Sequence, residues 1–599
     1  FDQSNSATEF IAHRDLALVH ERIGNIEELL GNNEAALKQF ERQRESIEPL
    51  IDGTAVEDVV QRDFAIALGQ VGKLNLLMRN LKAAESALNE SNLIRHARAV
   101  ALPNDFQAQR DDADGAMTLG QFFSQLNRLD KAETLAKHSV TILRKLTTEN
   151  PGNFELARSL ATGLQNLGDL LLRRRNIAEA ETAYAESITL RQELVALAPQ
   201  HVAIRRELIV STINFSDLLF MNEKHALAIE LLNAAYSQAV ELSKITDDAT
   251  LLRSLMLCCN KMGKAHSFLD QYDLAEKWYK EGLERSEQRV AKFPDSREAI
   301  RDVSIALSNI GDVYLETGKL DEAVDYFTRA LTHNKKFSSI DDPETIVDHV
   351  ASLSRLGSVK AIQKDFPAAV RLLEEGLTVL QQARDVNDTP ALTVNTAKLH
   401  RQLGLTLLVA TEFEDARAAF VAASELLRKL GETGSLSAAD QRRLLQLKEE
   451  IQFAEISEKA GGAMEELLAE PTDNHCKLFE RRAMMMADES RFDEAADAAQ
   501  RLTKIETASM SEYYNAGCIF GRCLNAIAPA DENGAALSPD QVARQQALAA
   551  KAIEALQLSI KAGWSNFDHM KKDSDLSGLS ELPEFLDLFP TDSAAESKP

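Results

Sequence analysis

A pair made of an apolar residue followed by glycine returns along this chain at almost constant spacing: Ile23-Gly24, Val71-Gly72, Leu119-Gly120, Leu167-Gly168, Met262-Gly263, Ile310-Gly311, Leu356-Gly357 and Leu403-Gly404, with Phe215-Ser216 standing in once. Successive pairs lie 48, 48, 48, 48, 47, 48, 46 and 47 residues apart. Twelve residues after each of the nine stands alanine: Ala36, Ala84, Ala132, Ala180, Ala228, Ala275, Ala323, Ala369 and Ala416. With alanine at about one residue in ten, nine coincidences have a chance probability on the order of 10⁻⁹. A chain with such a period grows by adding modules that contact their neighbours.

Sixteen residues after the glycine position comes a large apolar side chain: Phe40, Leu88, Tyr184, Leu232, Tyr279, Phe327, Leu373 and Phe420, with Ala136 the single small one. Three further on the residue is small, as in Ser91, Ser139, Ser187 and Ala235; Gln43 departs. Offsets of three and four fall on one helical face. Glycine lets one helix approach the next, alanine does the same for its partner, and the large residue fills the space between. Only 14 prolines and 26 glycines occur among 599 residues, so helices run long and the fold class is all-α. Pro103, Pro151, Pro199 and Pro294 each precede their anchor by 17 residues, which starts the first helix of each pair just after them, with Asn104, Asn153 or Ser296 as N-cap. The second helix, for example 176 to 197, has a similar length, and each arm spans roughly 30 Å.

Glycine, alanine at +12, an aromatic or leucine at +16 and a small residue at +19 together resemble the tetratricopeptide repeat (TPR) over about 15 to 425, at an unusually long period. A shorter version returns at Arg491 to Ala495 and Tyr514 to Ala516. The resemblance implies a right-handed α-solenoid of helical hairpins. It divides the chain into an array of about nine long repeats (1–430), an irregular boundary segment (431–475) with a helix near 441–460 outside the register, a C-terminal module and cap (476–590), and a disordered tail (591–599). Segments such as Asn150 to Ala157 followed by Asn166 to Leu170 are similar to the TPR arrays C-terminal to bacterial eukaryotic-like Ser/Thr protein kinases. That similarity implies a catalytic domain upstream of Phe1; a free-standing adaptor is the alternative.

Charge narrows the partners. Lys and Arg number 67 against 93 Asp and Glu, a net charge of −26, so a nucleic-acid backbone is repelled. No apolar run reaches the 18 residues of a membrane span, so this chain is not expected to insert, although a preceding segment could tether it. Cys258, Cys259, Cys476, Cys518 and Cys523 form no CxxC pair, which points to a reducing, cytoplasmic setting without a disulfide frame or zinc site. The twelve histidines show neither HExxH nor a carboxylate-plus-histidine cluster, so no metal and no cofactor is expected. Trp278, Tyr279 and Met484 to Met486 read as packing.

His13-Arg14-Asp15-Leu16 imitates a kinase catalytic loop and Asp63-Phe64-Ala65 its metal-binding triplet, but Asp63 follows Asp15 by 48 residues, so both occupy one repeat column. Ala17 and His20 stand where such a loop needs Lys and Asn. No catalytic residue is expected in this chain. Two polar columns remain. Ten residues before the glycine position stand Arg14, Arg62, Arg110, Arg158, Arg206, Arg253 and Arg301. They read either as a ladder of ion pairs between repeats or as a basic stripe that takes carboxylates or phosphates from a bound chain. Two residues before the glycine position stand Arg22, Gln70, Thr118, Asn166, Asn214, Lys261, Asn309, Arg355 and Gln402. Asn166, Asn214 and Asn309 resemble the asparagine ladder of the TPR superhelix in O-GlcNAc transferase, where amides hold an extended peptide; solvated helix surface is the other reading. Glu21 and Asn25 depart from the Lys/Asn clamp of chaperone-binding repeats. The expected function is a non-catalytic scaffold binding an extended peptide or partner helix, acidic or phosphorylated, in a concave groove through Arg62, Arg110, Arg158, Arg206, Arg253, Arg301, Asn166, Asn214 and Asn309.

Overall fold

The computed structural model describes residues 2–51, 58–246, 249–339, 342–527 and 537–590; Phe1 and the expected tail at 591–599 lie outside them. Among the described residues every regular element is a helix. The chain forms two compact units, Phe1–Gly318 and Lys319–Pro599.

The first unit opens with the hairpins α1 (Asp2–Leu29) with α2 (Asn33–Ile51), α3 (Asp58–Leu77) with α4 (Leu81–Ala101), and α5 (Phe106–Gln125) with α6 (Leu129–Glu149). It continues with α7 (Phe154–Arg173) and α8 (Ile177–Leu197), α9 (Val202–Met221) and α10 (His225–Ser243), α11 (Ala249–Phe268) and α12 (Tyr272–Lys292), and closes on α13 (Arg297–Glu316). From α1 to α13 successive helices pack on one another. All the periodic alanines are buried, from Ala36 to Ala416. The glycine column is explained by what a side chain would meet there. A Cβ on Gly72 would lie 2.6 Å from Leu88 Cγ and one on Gly263 2.7 Å from Tyr279 Cδ1, in each case the residue at +16. Gly120, facing Ala136 instead of a large residue, has nothing closer than 3.4 Å.

Two further columns set the helix ends. The side chains of Asp105, Asn153, His201 and Ser296 accept from the backbone N–H three residues on, always two residues after the proline. Asn104 is therefore not the cap: the Asp105 N–H closes a turn on the Leu102 carbonyl at 3.0 Å, which places Asp105 at the helix start. Seven residues after each glycine position the chain turns through a left-handed residue: Gly31, Arg79, Asn127, Arg175, Glu223, Asp270, Gly318, Lys364 and Thr411, with φ between 55° and 78°. Only two of these are glycine, so most turns carry conformational strain that the packed hairpin holds in place.

The second unit begins with α14 (Leu320–Phe337) and the hairpins α15 (Pro343–Ile362) with α16 (Phe366–Val386) and α17 (Pro390–Val409) with α18 (Phe413–Glu432). Then comes α19 (Ala438–Gly461), which the repeat register leaves unassigned; it packs on α18 and on α21 (His475–Asp488), with the short α20 (Met464–Ala469) between. Leu447 and Ala454 join the core of the preceding hairpins and Ala460 joins the core that follows, so α19 bridges the two. The chain ends in α22 (Phe492–Leu502), α23 (Met510–Asn525), α24 (Pro539–Lys561), α25 (Phe567–Lys572) and α26 (Pro583–Leu586). Trp564 stacks on Tyr514 with ring centroids 4.0 Å apart, and the Tyr514 hydroxyl donates to Asp573 Oδ2 at 2.7 Å, closing the last apolar face.

Two substitutions in the α17–α18 hairpin test this account with opposite signs. Thr411→Gly removes a β-branched residue from the left-handed region and raises unfolding stability by about 1 kcal/mol. Gly404→Ala places a Cβ 2.6 Å from Phe420 Cε1 and lowers it by about 1–3 kcal/mol. Urea midpoints of the intact chain read both.

Candidate functional site

The arginine column sits at the start of each first helix, and its side chains reach along the stack. Arg14 Nε donates to Asp63 Oδ2 at 3.2 Å, Arg62 Nε to Asp111 Oδ2 at 2.7 Å, and Arg158 Nε and Nη2 to Glu207 Oε1 at 3.0 and 2.6 Å. In each case the acid lies 49 residues on, immediately after the arginine of the next repeat. Arg253 pairs with Glu298 at 3.0 Å and Arg206 donates to Thr250 Oγ1 at 3.4 Å. Arg301 lies exposed on α13. Arg110 meets no acid at that place in the next repeat: Ser159 stands 49 residues on, as Ser254 follows Arg253 in the repeat after Arg206, and the Arg110 charge acts on Asp114. The kinase-like residues Arg14 and Asp63 thus hold each other across two repeats.

A second arginine, from the end of the preceding helix, joins this ladder. Arg98 is buried, donates to Asp58 Oδ2 at 2.6 Å and reaches Asp111 Oδ2 at 3.2 Å. Arg289, also buried, occupies the same repeat position and pairs with Asp302. Column reading missed both. The signal was an acid nine residues before the glycine position (Asp63, Asp111, Glu207, Asp302), matched with an arginine 26 after the previous one.

The clefts of the first unit open elsewhere. One, of about 390 Å³, lies among α5, α6 and α7, with Gly120, Ala136, Ser139, Gly163, Asn166 and Asp169 in its wall. It occupies the place where the other hairpins bury a large residue at +16. Ser139 marks the same gap: Ser91 and Ser187 donate to the carbonyls of Ala65 and Ala161 at 2.6 and 2.7 Å, whereas Ser139 Oγ and Asn166 Nδ2 have no hydrogen-bond partner among the described residues. Burial pushes the Asp169 carboxyl above its ordinary range, against the opposing hydrogen bond from Tyr184. A second cleft, of about 330 Å³, is lined by Gln70, Lys73, Arg95, Asp114 and Thr118 and shares Met117 with the first. Lys73 reaches solvent, yet the crowded protein around it and then the charge on Arg95 hold its ammonium below the usual value. The Arg95 Nε has no hydrogen-bond partner among the described residues.

Of the asparagine column, Asn166 faces the first cleft, while Asn214 and Asn309 are half-buried on α9 and α13. Other members are tied to the preceding repeat: Lys261 pairs with Asp217, and Gln402 Nε2 donates to the Ser354 carbonyl at 2.8 Å. None of the described arginines at −10 lines either cleft.

Family profiles described as tetratricopeptide repeat match residues 160–202, 258–289 and 302–382. The chain carries tetratricopeptide repeats. No curated protein sequence matches it. Similar solved structures include BtubC (BKLC) from P. vanneervenii, at 20% identity over 44% of this chain and 94% of that one with a TM-score of 0.34. The apo form of RapI shares 14% identity over 65% and 98%, with a TM-score of 0.38. A Rap protein complexed with Competence and Sporulation Factor shares 12% over 66% and 99%, with a TM-score of 0.31. Among the described residues no helix of the TPR chain is long and apolar enough to cross a membrane.

The fold also corrects the expectation that no histidines and carboxylate gather. His96 of α4, Asp112 of α5 and His138 of α6 meet on one face of this TPR stack. They are 16 and 26 residues apart on three helices, a spacing that no local motif reveals.

The two kinds of arginine differ in what they hold. The half-exposed Arg158 is screened, so Arg158→Gln changes unfolding stability by less than about 1 kcal/mol. Arg98→Met takes one of its two guanidinium partners from buried Asp111 and breaks the pair with Asp58, and costs about 1–3 kcal/mol, as read by urea unfolding with hydrogen exchange over α3 to α5.

Proposed function

We propose that this TPR protein is a non-catalytic interaction scaffold that binds an extended peptide along the first unit, with an apolar side chain seated in the cleft at Ala136. The gap at Ala136 carries this reading: it is the one repeat where the space-filling residue is small, and two polar atoms beside it, Ser139 Oγ and Asn166 Nδ2, have no hydrogen-bond partner among the described residues. A peptide backbone supplies a carbonyl for the Asn166 amide and a donor or acceptor for the Ser139 hydroxyl, while its side chain takes up the apolar space. The neighbouring cleft favours an acidic residue a short way along the same peptide. Lys73 and Arg95 are two cations in close company, and a carboxylate or phosphate relieves their repulsion. The arginines at −10 serve this function mainly as ties that fix the distance between repeats; Arg110, which meets no acid at that place in the next repeat, is a member placed to meet an acidic partner.

The resemblance to kinase-associated arrays supplies a setting, a docking arm that brings a substrate or regulator to a catalytic domain, and the reading frame upstream of Phe1 tests it.

Selection from a random peptide library on the intact chain, followed by fluorescence anisotropy, tests the binding mode. Ala136→Leu, which restores the usual side chain, is expected to weaken selected peptides by about a hundredfold, and Asn166→Ala by about tenfold. Arg158→Gln leaves binding unchanged. Equal affinity for Ala136→Leu and wild type contradicts the proposal.

A further inference from the structure

Asp112 is out of place in its own column. Eight residues before the glycine position five other repeats of this unit bury apolar side chains, Phe64, Leu160, Leu208, Leu255 and Val303, and the first carries the exposed Leu16. At this one repeat a carboxylate occupies the core position, with a side chain 4% exposed. A buried carboxylate needs compensation. It is met by two imidazoles on one oxygen: His96 Nδ1 lies 3.1 Å and His138 Nε2 2.9 Å from Asp112 Oδ2. The second oxygen, Oδ1, is buried and has no hydrogen-bond partner among the described residues. The histidine rings face solvent, at 51% and 38% side-chain exposure, and stand edge to face with centroids 5.4 Å apart.

We infer that His96, Asp112 and His138 form a binding site for a divalent transition metal of the zinc class. The ligand atoms, Nδ1, Oδ2 and Nε2, all lie within 4.8 Å of one another. With metal–ligand bonds of about 2.0–2.2 Å, the edge of a tetrahedral site is roughly 3.4 Å. The two nitrogen–oxygen distances fall a few tenths of an ångström short of that edge, so an ion enters by parting them slightly and drawing the nitrogens together. Two imidazoles with one carboxylate suit zinc or its neighbours, whereas calcium and magnesium take oxygen ligands. On binding, each imidazole presents a lone pair in place of the N–H it directs at Asp112. A ring that was neutral gives up that proton and takes one from solvent on its other nitrogen, and one that was charged releases a proton to solvent. The unpartnered Oδ1 is available as a second carboxylate contact. Three protein ligands on an open face leave a position for water or for a donor from a bound protein. Three successive helices would then be joined through one ion, on the same α5 and α6 that wall the cleft at Ala136.

The site is independent of the peptide reading and is tested without a peptide. The intact chain, stripped by a chelator and dialysed, is titrated with zinc chloride by calorimetry, and with cobalt(II) to read visible absorption. Wild type is expected to take one ion per chain in this site, to melt at a higher temperature with zinc, and to give the intense absorption of a tetrahedral cobalt complex. His96→Ala and His138→Ala each weaken binding at least about tenfold and lose the absorption band, while His569→Ala in the second unit retains both. Circular dichroism confirms that the variants stay folded; His96, half exposed, is the safer of the two. Zinc binding unchanged in both variants, no binding in wild type, or equal binding of calcium overturns the assignment.

Discussion

The structure depends on how closely two helices of a hairpin approach each other. At the glycine position the first helix has no Cβ because the second helix puts a ring or a leucine there, 2.6 Å from where the Cβ would be at Gly72 and Gly404. Each hairpin is thin, and its core is little more than this contact together with the buried alanine at +12 and the neighbouring hairpin's face. Stability accumulates by stacking, as in other arrays built from nearest-neighbour interfaces. A gap in the contact column is consequently local. Replacing the large residue by Ala136 opens a cleft without disturbing the hairpins on either side, and the array can host a binding site by leaving out one side chain.

Electrostatics holds the phase of the stack. At Asp63, Asp111 and Glu207 an acid next to the arginine of one repeat receives the arginine of the repeat before it, and Asp111 and Asp302 each receive a buried arginine from the end of the preceding helix. Exposed pairs such as Arg253 with Glu298 add little energy, but each has one favourable register, and together they set which residues stand opposite which. The side chains most suited to gripping an acidic ligand are largely committed to this duty. The cations left under-compensated, Lys73 and Arg95, sit beside the cleft.

Fold class, hairpin arms and the buried alanines were legible because they follow from periodicity, which a single sequence displays in full. Even the cleft was visible as the small residue at 136, although nothing in the sequence distinguishes a gap from a hairpin that closes around a smaller side chain. Other features depend on relations between columns. The arginine at −10 gave two readings until the acid at −9 of the next repeat was seen to meet it. The left-handed turn at +7 escaped notice because Arg79, Arg175 and Thr411 are not residues that favour that conformation; the hairpin imposes it. Asn104 looked like a cap from its type, yet Asp105 keeps the two-residue step after proline. His96, Asp112 and His138 come together only through the stacking of three helices, and α19 lacks the glycine and alanine marks while burying Leu447 and Ala454 as a repeat helix does.

A crystal structure of the intact chain with a library-selected peptide tests the central claim most directly. The account predicts an apolar peptide side chain lodged between Gly120, Ala136 and Gly163, with the peptide backbone hydrogen-bonded to Asn166. A peptide bound on another face, or a cleft closed by movement of α5 onto α6, would contradict it.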